Sequence, residues 1–467
     1  MKTAILVLAF VLAQVSANLC FKMVEGQPAA LSVILHHPLQ YALPLGWFIA
    51  GNGIGFFCTV FLTLALKDHS ANVIYALCFG GGFFFLQLSS CVLFKSALTL
   101  WQWFAICLIG SGIVLLQASA VAPGWKMAVP GWRYQFPADH GVHRDFKTEW
   151  WYFTGQLRDG KGREFGYQVT FFREGVRPPG SVPAVSSRFI LDDVKFAHFA
   201  LTDVAARRFL FQEKTSRGAF GAAGFGDRGR LAWIEGWSFE ETRDGGFSLK
   251  AAREDGAVDL VLQPEKGLII HGVNGVSQKA NGAGHASHYY SSTRLQTTGW
   301  LTGAGAPEAV SGESWFDHEW ATNSLTPEQI GWNWFSIQLD DGTELMLYQM
   351  RTRDGGIDPN SSGTFVLKNG EGVYLSRAEY DLVPRGFWKS GQTGADYPIA
   401  WKLKAPGLGL ELEISTPVPS QELALGAISY WEGLIEVRGT KGSLPVAGHG
   451  YMELTGYAKP LAGMSAE

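Results

Sequence analysis

The stretch SGESWFDHEW, residues 311–320, places Glu313, Asp317, His318 and Glu319 among Trp315, Phe316 and Trp320. Proton-carrying groups beside apolar rings suit one kind of chemistry. A carboxyl group surrounded by aromatic side chains has its charged form disfavoured, so its pKa rises and it can hold a proton near neutrality. Such an acid can protonate the carbon of an isolated C=C bond, aromatic faces can stabilise the resulting cation, and a water can trap it. On a strand, Asp317 and Glu319 share one face while Phe316, His318 and Trp320 share the other. Both carboxylates therefore join His318 inside only if the strand bulges. A metal reading of Asp317, His318 and Glu319, or of His285 with His288, matches no common ligand spacing, so neither a metal nor a cofactor is expected.

The elements that must position these groups are strands. FGYQVTFFR, FALTDV, FSLKAA, VDLVLQ and WKLKA are short alternating segments separated by Asp-Gly, Gly-Lys-Gly and Asn-Gly turns. That pattern predicts antiparallel β structure, as a sandwich or barrel. A repeat then fixes the architecture. WYFTGQLRDGKGREFGYQ at 151–168 matches NWFSIQLDDGTELMLYQ at 333–349, with Gln156, Leu157, Asp159 and Gly160 recurring as Gln338, Leu339, Asp341 and Gly342. The offset is too long for a solenoid or propeller unit. Two similar β-barrel domains follow, expected at 126–307 and 308–467, with TGAGAP at 302–307 between them. Trp431, Glu432, Tyr451 and Glu453 fit closing strands of the second barrel and are given no chemistry.

The first quarter of the 467 residues is different. Between Glu25 and Lys126 the only charged residues are Lys67, Asp68 and Lys95, and all five cysteines lie in this part. Apolar runs at 3–21, 41–66, 70–94 and 97–122 each reach the roughly 20 residues needed to cross about 30 Å of hydrocarbon. The expectation for 1–125 is an α-helical transmembrane bundle of four helices. MKTAILVLAFVLAQVSA also has the form of a secretory signal. If the first helix is retained, the distribution of Lys and Arg puts the β part in the cytoplasm; if it is cleaved, the β part is extracytoplasmic. The pattern resembles the small multidrug resistance family, through AQVSANLCFKMVEG at 13–26, the four helix lengths and Gly110-Ser111-Gly112. That resemblance implies a homodimer through the helices. It also puts Gln14 where multidrug members carry a titratable glutamate, so proton-coupled drug export is not implied.

HRDFKTEWWYFTGQL (143–157), HYYSSTRL (288–295), GESWFDHEW (312–320), GWNWFSIQLDDGTELMLYQMR (331–351) and GHGYMELTGY (448–457) together resemble the AttH and carotenoid 1,2-hydratase family of double lipocalin-like proteins. The resemblance covers about 130–460 and implies two lipocalin-like barrels with an apolar cavity for an isoprenoid or other greasy molecule. It implies a His-x-Trp pair, matched by His318-Glu319-Trp320, and a Tyr-x-Asp pair, which falls on Tyr348-Gln349-Met350 with methionine in the acid's place. Asp317 or Glu149 would then be the proton donor and His318 its partner, with Tyr348 completing the catalytic set. Trp320, Trp315, Trp151, Tyr290 and Trp334 would line the substrate.

Three functions are compatible with these features: a membrane-anchored enzyme performing hydration, cyclisation or hydrolysis on a lipophilic substrate, a non-catalytic lipid-binding barrel, and a transporter-like bundle regulated by barrels. The alternative for Asp317, His318 and Glu149 is structural, in hydrogen bonds to turns or to Arg144, Arg294 or Arg351. A net charge of -4 without a basic stripe argues against nucleic-acid binding.

Overall fold

The computed structural model describes residues 2–23, 38–66, 74, 78–79, 81–93, 99–104, 107, 124–181, 190–303, 305–322, 325–425 and 428–461. The chain divides into two compact units, Met1–Ala122 and Pro123–Glu467.

In the first unit the helices are Lys2–Lys22, Pro38–Leu66 and Gly81–Leu93. Phe10, Val11 and Val15 pack with Cys58, Phe61 and Leu62. Ile5–Lys22 and Gly46–Leu64 are long and apolar enough to cross a membrane. The expected set of four is thus met by two among the described residues. Gly81–Leu93 is the part of the expected third run described as a continuous helix, and residues on both sides of it lie outside the described set. The expected fourth run, 97–122, lies mostly outside the described residues, as does part of the third, 70–94.

The second unit is all β and holds two sheets. The first is ordered Arg208–Ser216, Asp193–Asp203, Glu164–Gly175, Thr148–Asp159, Glu308–Ala321, Ala286–Thr302, Gly256–Pro264, Phe247–Arg253, Trp237–Glu241, Arg230–Ile234, Ala223–Phe225. Its ends curl together into a nearly closed barrel: Phe199 meets Trp237 at 5.8 Å between rings, and the Lys214 ammonium sits 4.9 Å over the same indole. The second sheet is a half-barrel, ordered Gly372–Ser376, Ser362–Val366, Glu344–Thr352, Gln329–Leu339, Leu444–Leu454, Ser429–Lys441, Leu410–Ser415, Asp396–Ala405, Asp381–Lys389.

The repeat holds in three dimensions. Thr148–Asp159 and Gln329–Leu339 occupy equivalent places, each between its hairpin partner and the last strand of its own sheet. Both hairpins turn at an aspartate that gathers backbone N–H groups: Asp159 accepts from Lys161 and Arg163, each at 2.9 Å, and Asp341 accepts from Thr343 at 3.0 Å. Glycine supplies the left-handed residue in each turn, Gly162 at φ 79° and Gly342 at φ 77°.

One expected boundary moves. Glu308–Ala321, assigned above to the second domain, is hydrogen-bonded in the first sheet between Thr148–Asp159 and Ala286–Thr302. The Gly/Ala/Pro-rich 302–307 segment is a hairpin connection with Leu301 opposite Glu308, not a linker. The first barrel therefore runs through Ala321, and the second begins at Gln329.

Candidate active site

The Glu308–Ala321 strand does not bulge against Thr148–Asp159, so its side chains alternate as the sequence pattern demands. One face looks into the first barrel and carries Phe316, His318 and Trp320. The other, with Trp315, Asp317 and Glu319, looks toward the second sheet. The expected pairing of Asp317 with His318 is consequently not made; the two belong to separate clusters on opposite sides of one strand.

Inside the first barrel, His318 Nε2 lies 3.0 Å from Glu149 Oε1, and His143 Nδ1 lies 2.7 Å from the same oxygen. Arg173 Nε donates to Glu149 Oε2 at 3.2 Å, and the His143 N–H reaches both carboxylate oxygens at 2.9 Å. Asp139 continues the chain, 3.2 Å from His143 Nε2. Burial pushes Glu149 upward, but hydrogen bonds and charge from His143 and His318 outweigh it and hold the carboxyl well below the usual range. Glu149 is thus anionic at neutral pH, which corrects its expected role as proton donor. Burial keeps His318 below the ordinary histidine value. His143, despite burial, is raised by Asp139 and Glu149. Trp320 stacks on His143 at 3.7 Å, Trp151 stacks on His318 at 4.6 Å, and Tyr290 Oη lies 3.1 Å from His318 Nδ1. These three aromatics, expected to line the substrate, instead seal the histidine cluster within the first barrel core.

Among the described residues, His143, Glu149 and His318 form a group whose ligand atoms all lie within 4.8 Å of one another. Both oxygens of Glu149 are already engaged by Arg173, the His143 N–H and the two imidazoles, so the donor set is that of a hydrogen-bonded ion cluster rather than of three free ligands.

The opposite face opens on a cavity of about 380 Å³ between the two sheets, within the size range of small-molecule sites. Asp317, 3% exposed, accepts a hydrogen bond from Tyr289 Oη at 2.7 Å, one from Trp315 Nε1 at 2.5 Å, and one from Ser291 Oγ. Burial is the largest influence on it. The three donors pull its pKa down and Glu319 pushes it up, leaving it raised to about 7. Of the expected lining residues, Trp334 borders the cavity and donates to Tyr289 Oη at 3.1 Å, while Trp315 backs Asp317. Tyr348 also borders it. Its hydroxyl donates to the Gln278 carbonyl at 2.8 Å and accepts from Ser362 at 2.9 Å, and the Lys279 ammonium lies 4.0 Å over its ring. Lys279 in turn pairs with Glu319 at 3.2 Å.

The sequence reading missed half of this cavity. Tyr152 and Trp334 are equivalent in the repeat, and each faces the last strand of its own sheet, Tyr152 opposite Asp317 and Trp334 opposite Glu453. Glu453 is therefore the second barrel's counterpart of Asp317. Burial raises it to about 7 as well, and Trp332 Nε1 donates to it at 3.0 Å. Glu432 lies beside it on the neighbouring strand. The two barrels also exchange donors, Trp334 reaching Tyr289 and Tyr152 reaching Glu432. Extending the repeat from GESWFDHEW to GHGYMELTG would have found Glu453.

Residues 127–457 match the AttH-like family. The crystal structure of a candidate AttH protein from Nitrosomonas europaea is similar, at 34% identity and a TM-score of 0.64, covering 71% of this chain and 99% of that one. Kievitone hydratase from Nectria haematococca shares the fold, at 15% identity and a TM-score of 0.55 over 72% of this chain and 98% of its own. Among curated proteins none matches.

Proposed function

Because the chain belongs to the AttH-like family, we propose that it is a double lipocalin-like enzyme acting by acid catalysis on a lipophilic, isoprenoid-like substrate held between its two barrels. The observation that carries this is Asp317: a carboxyl buried against Tyr289, Trp315 and Trp334, facing the cavity, with its pKa raised to about 7. A desolvated acid of that strength is matched to proton transfer near neutral pH. In a hydration, the Asp317 carboxyl gives its proton to one alkene carbon and becomes a carboxylate. The other carbon becomes cationic against the faces of Tyr152, Tyr289 and Trp334. Water adds its oxygen to that carbon, and the proton it sheds returns to Asp317. Hydration is also the reaction for which the fold relative from Nectria is named; cyclisation and hydrolysis start from the same proton donor.

The apolar helices Ile5–Lys22 and Gly46–Leu64 support a membrane anchor, which suits a substrate residing in the bilayer. A small-multidrug-resistance-like bundle, paired as a dimer, is the finer form of this proposal. A non-catalytic lipid carrier is the second reading. It is favoured by the three hydrogen bonds that already hold Asp317 in place.

Extraction of the lipid that copurifies with the full-length protein, followed by incubation in isotopically labelled water, separates the two. Label incorporated by the wild type and not by D317N, with lipid still bound to the variant, supports the enzyme. Equal incorporation by both proteins, or by neither, supports the carrier.

A further inference from the structure

The second barrel brings to the cavity a carboxyl group that the chemistry above leaves unused. Glu432 is 1% exposed and borders the cavity. Its Oε1 accepts the hydroxyl of Tyr152, while Oε2 is buried and has no hydrogen-bond partner among the described residues. The other polar groups of the second barrel at this place are engaged: Glu453 by Trp332, Tyr430 by His198 at 2.6 Å, and Tyr348 by Gln278 and Ser362.

The internal duplication shows how unusual this is. Ser291 stands opposite Asp317 in the first sheet, and Glu432 stands opposite Glu453 in the second. Ser291 is spent holding its acid, whereas Glu432 leaves Oε2 without a hydrogen-bond partner among the described residues. Burial, with Glu453 and Asp317 close by, pushes Glu432 well above the usual carboxylate range, toward its protonated form. With Oε1 taken up by the Tyr152 hydroxyl, Oε2 is the oxygen left to offer that proton to a ligand. A desolvated O–H without an acceptor is costly, and a ligand oxygen relieves that cost.

We propose that Glu432 is a substrate-binding residue that donates from Oε2 to a carbonyl oxygen of the ligand, so that the preferred substrate is a mainly apolar molecule carrying an oxygen acceptor rather than a pure hydrocarbon. This rests on the cavity being the substrate site and narrows the substrate class it takes. Removing the donor weakens oxygenated ligands selectively, because the apolar walls contributed by Tyr152, Trp334 and Met350 remain.

The test uses the full-length protein in detergent micelles and the fluorescence of the cavity tryptophans, Trp332 and Trp334, titrated with geranylacetone and with the oxygen-free hydrocarbon of the same skeleton. The wild type is expected to bind the ketone about tenfold more tightly. E432L is expected to erase that preference, and E432Q, which keeps an N–H donor, to retain it. A ketone preference that survives in E432L, or equal affinities in the wild type, overturns the assignment of Glu432 and leaves Asp317 chemistry standing. Binding of neither ligand to the wild type overturns the cavity as well. The infrared C=O band of the bound ketone gives a readout on the wild type alone: a shift to lower frequency is expected, and an unshifted band contradicts the hydrogen bond.

Discussion

Asp317, opposite Tyr152, and Glu149, opposite Trp320, lie three strand positions apart in register, yet the fold gives them opposite charge states. Asp317 has neutral donors around it and, among the described residues, no cation in contact, so desolvation dominates. Glu149 has two imidazoles and Arg173, so ionisation wins. Turnover should therefore fall as pH rises through about 7, where Asp317 loses its proton. D317N should lower kcat by roughly 10²–10⁴-fold, measured as product formed per enzyme. Stability should respond with a definite sign. Asp317 binds its proton more tightly in the folded chain than in the unfolded one, whose value is about 3.9. Between those limits the native state holds the extra proton, so stability falls as pH rises, by up to about 1.4 kcal/mol per unit per such group. D317N should flatten that slope in denaturant melts at pH 5, 6 and 7. E149Q is expected to cost roughly 3–5 kcal/mol in the same assay, because Arg173 loses its buried counter-charge. The alternation that separates Asp317 from His318 was legible in SWFDHEW. Which face borders a cavity was not, since both faces are aromatic and only the second sheet's position decides.

The duplication extends to the backbone of the hairpin's first strand and the last strand it pairs with. Gly312 and Gly448 occupy equivalent positions on the two last strands. A Cβ on Gly312 would lie 2.0 Å from the Gln156 carbonyl oxygen, and one on Gly448 would lie 2.4 Å from that of Gln338. These are the same glutamines that recur in the sequence repeat. G312A and G448A should each destabilise by roughly 1–3 kcal/mol, because backbone rather than a flexible side chain must yield. G160A, with nothing within 4 Å of its Cβ, is the matched control in thermal unfolding. The repeat and its turns were legible because Asp-Gly chemistry and period-two alternation are local. The strand order was not, because pairing of Glu308–Ala321 with Thr148–Asp159 is long-range and a Gly-rich hairpin turn has the composition of a linker. The Tyr-Gln match at the ends of the two hairpins is not structural. Gln156 faces Gly166 while its counterpart Gln338 faces Glu344, so the first hairpin is longer and Thr170, not Tyr167, is the counterpart of Tyr348.

At the scale of the whole molecule, the division at Ala122/Pro123 coincides with the change from uncharged to charged sequence. The Nitrosomonas structure is almost wholly covered by 71% of this chain. Residues 124–467 expressed alone should therefore unfold at the temperature shown by the β part of the full chain, within about 2 °C by calorimetry, and should need no detergent. The apolar quarter was legible as membrane-type sequence from its charge distribution. Of the four expected spans, Ile5–Lys22 and Gly46–Leu64 have the length and apolarity to cross a membrane among the described residues. The two sheets share a cavity flanked by acids from both barrels, and the protonation state of those acids can be observed without knowing the substrate. An infrared difference spectrum of wild type minus D317N at pH 6 measures it. A carboxylic-acid C=O band that vanishes in the variant and titrates near pH 7 is the predicted result. A band from ionised carboxylate alone at pH 6, titrating near 4, would contradict the account.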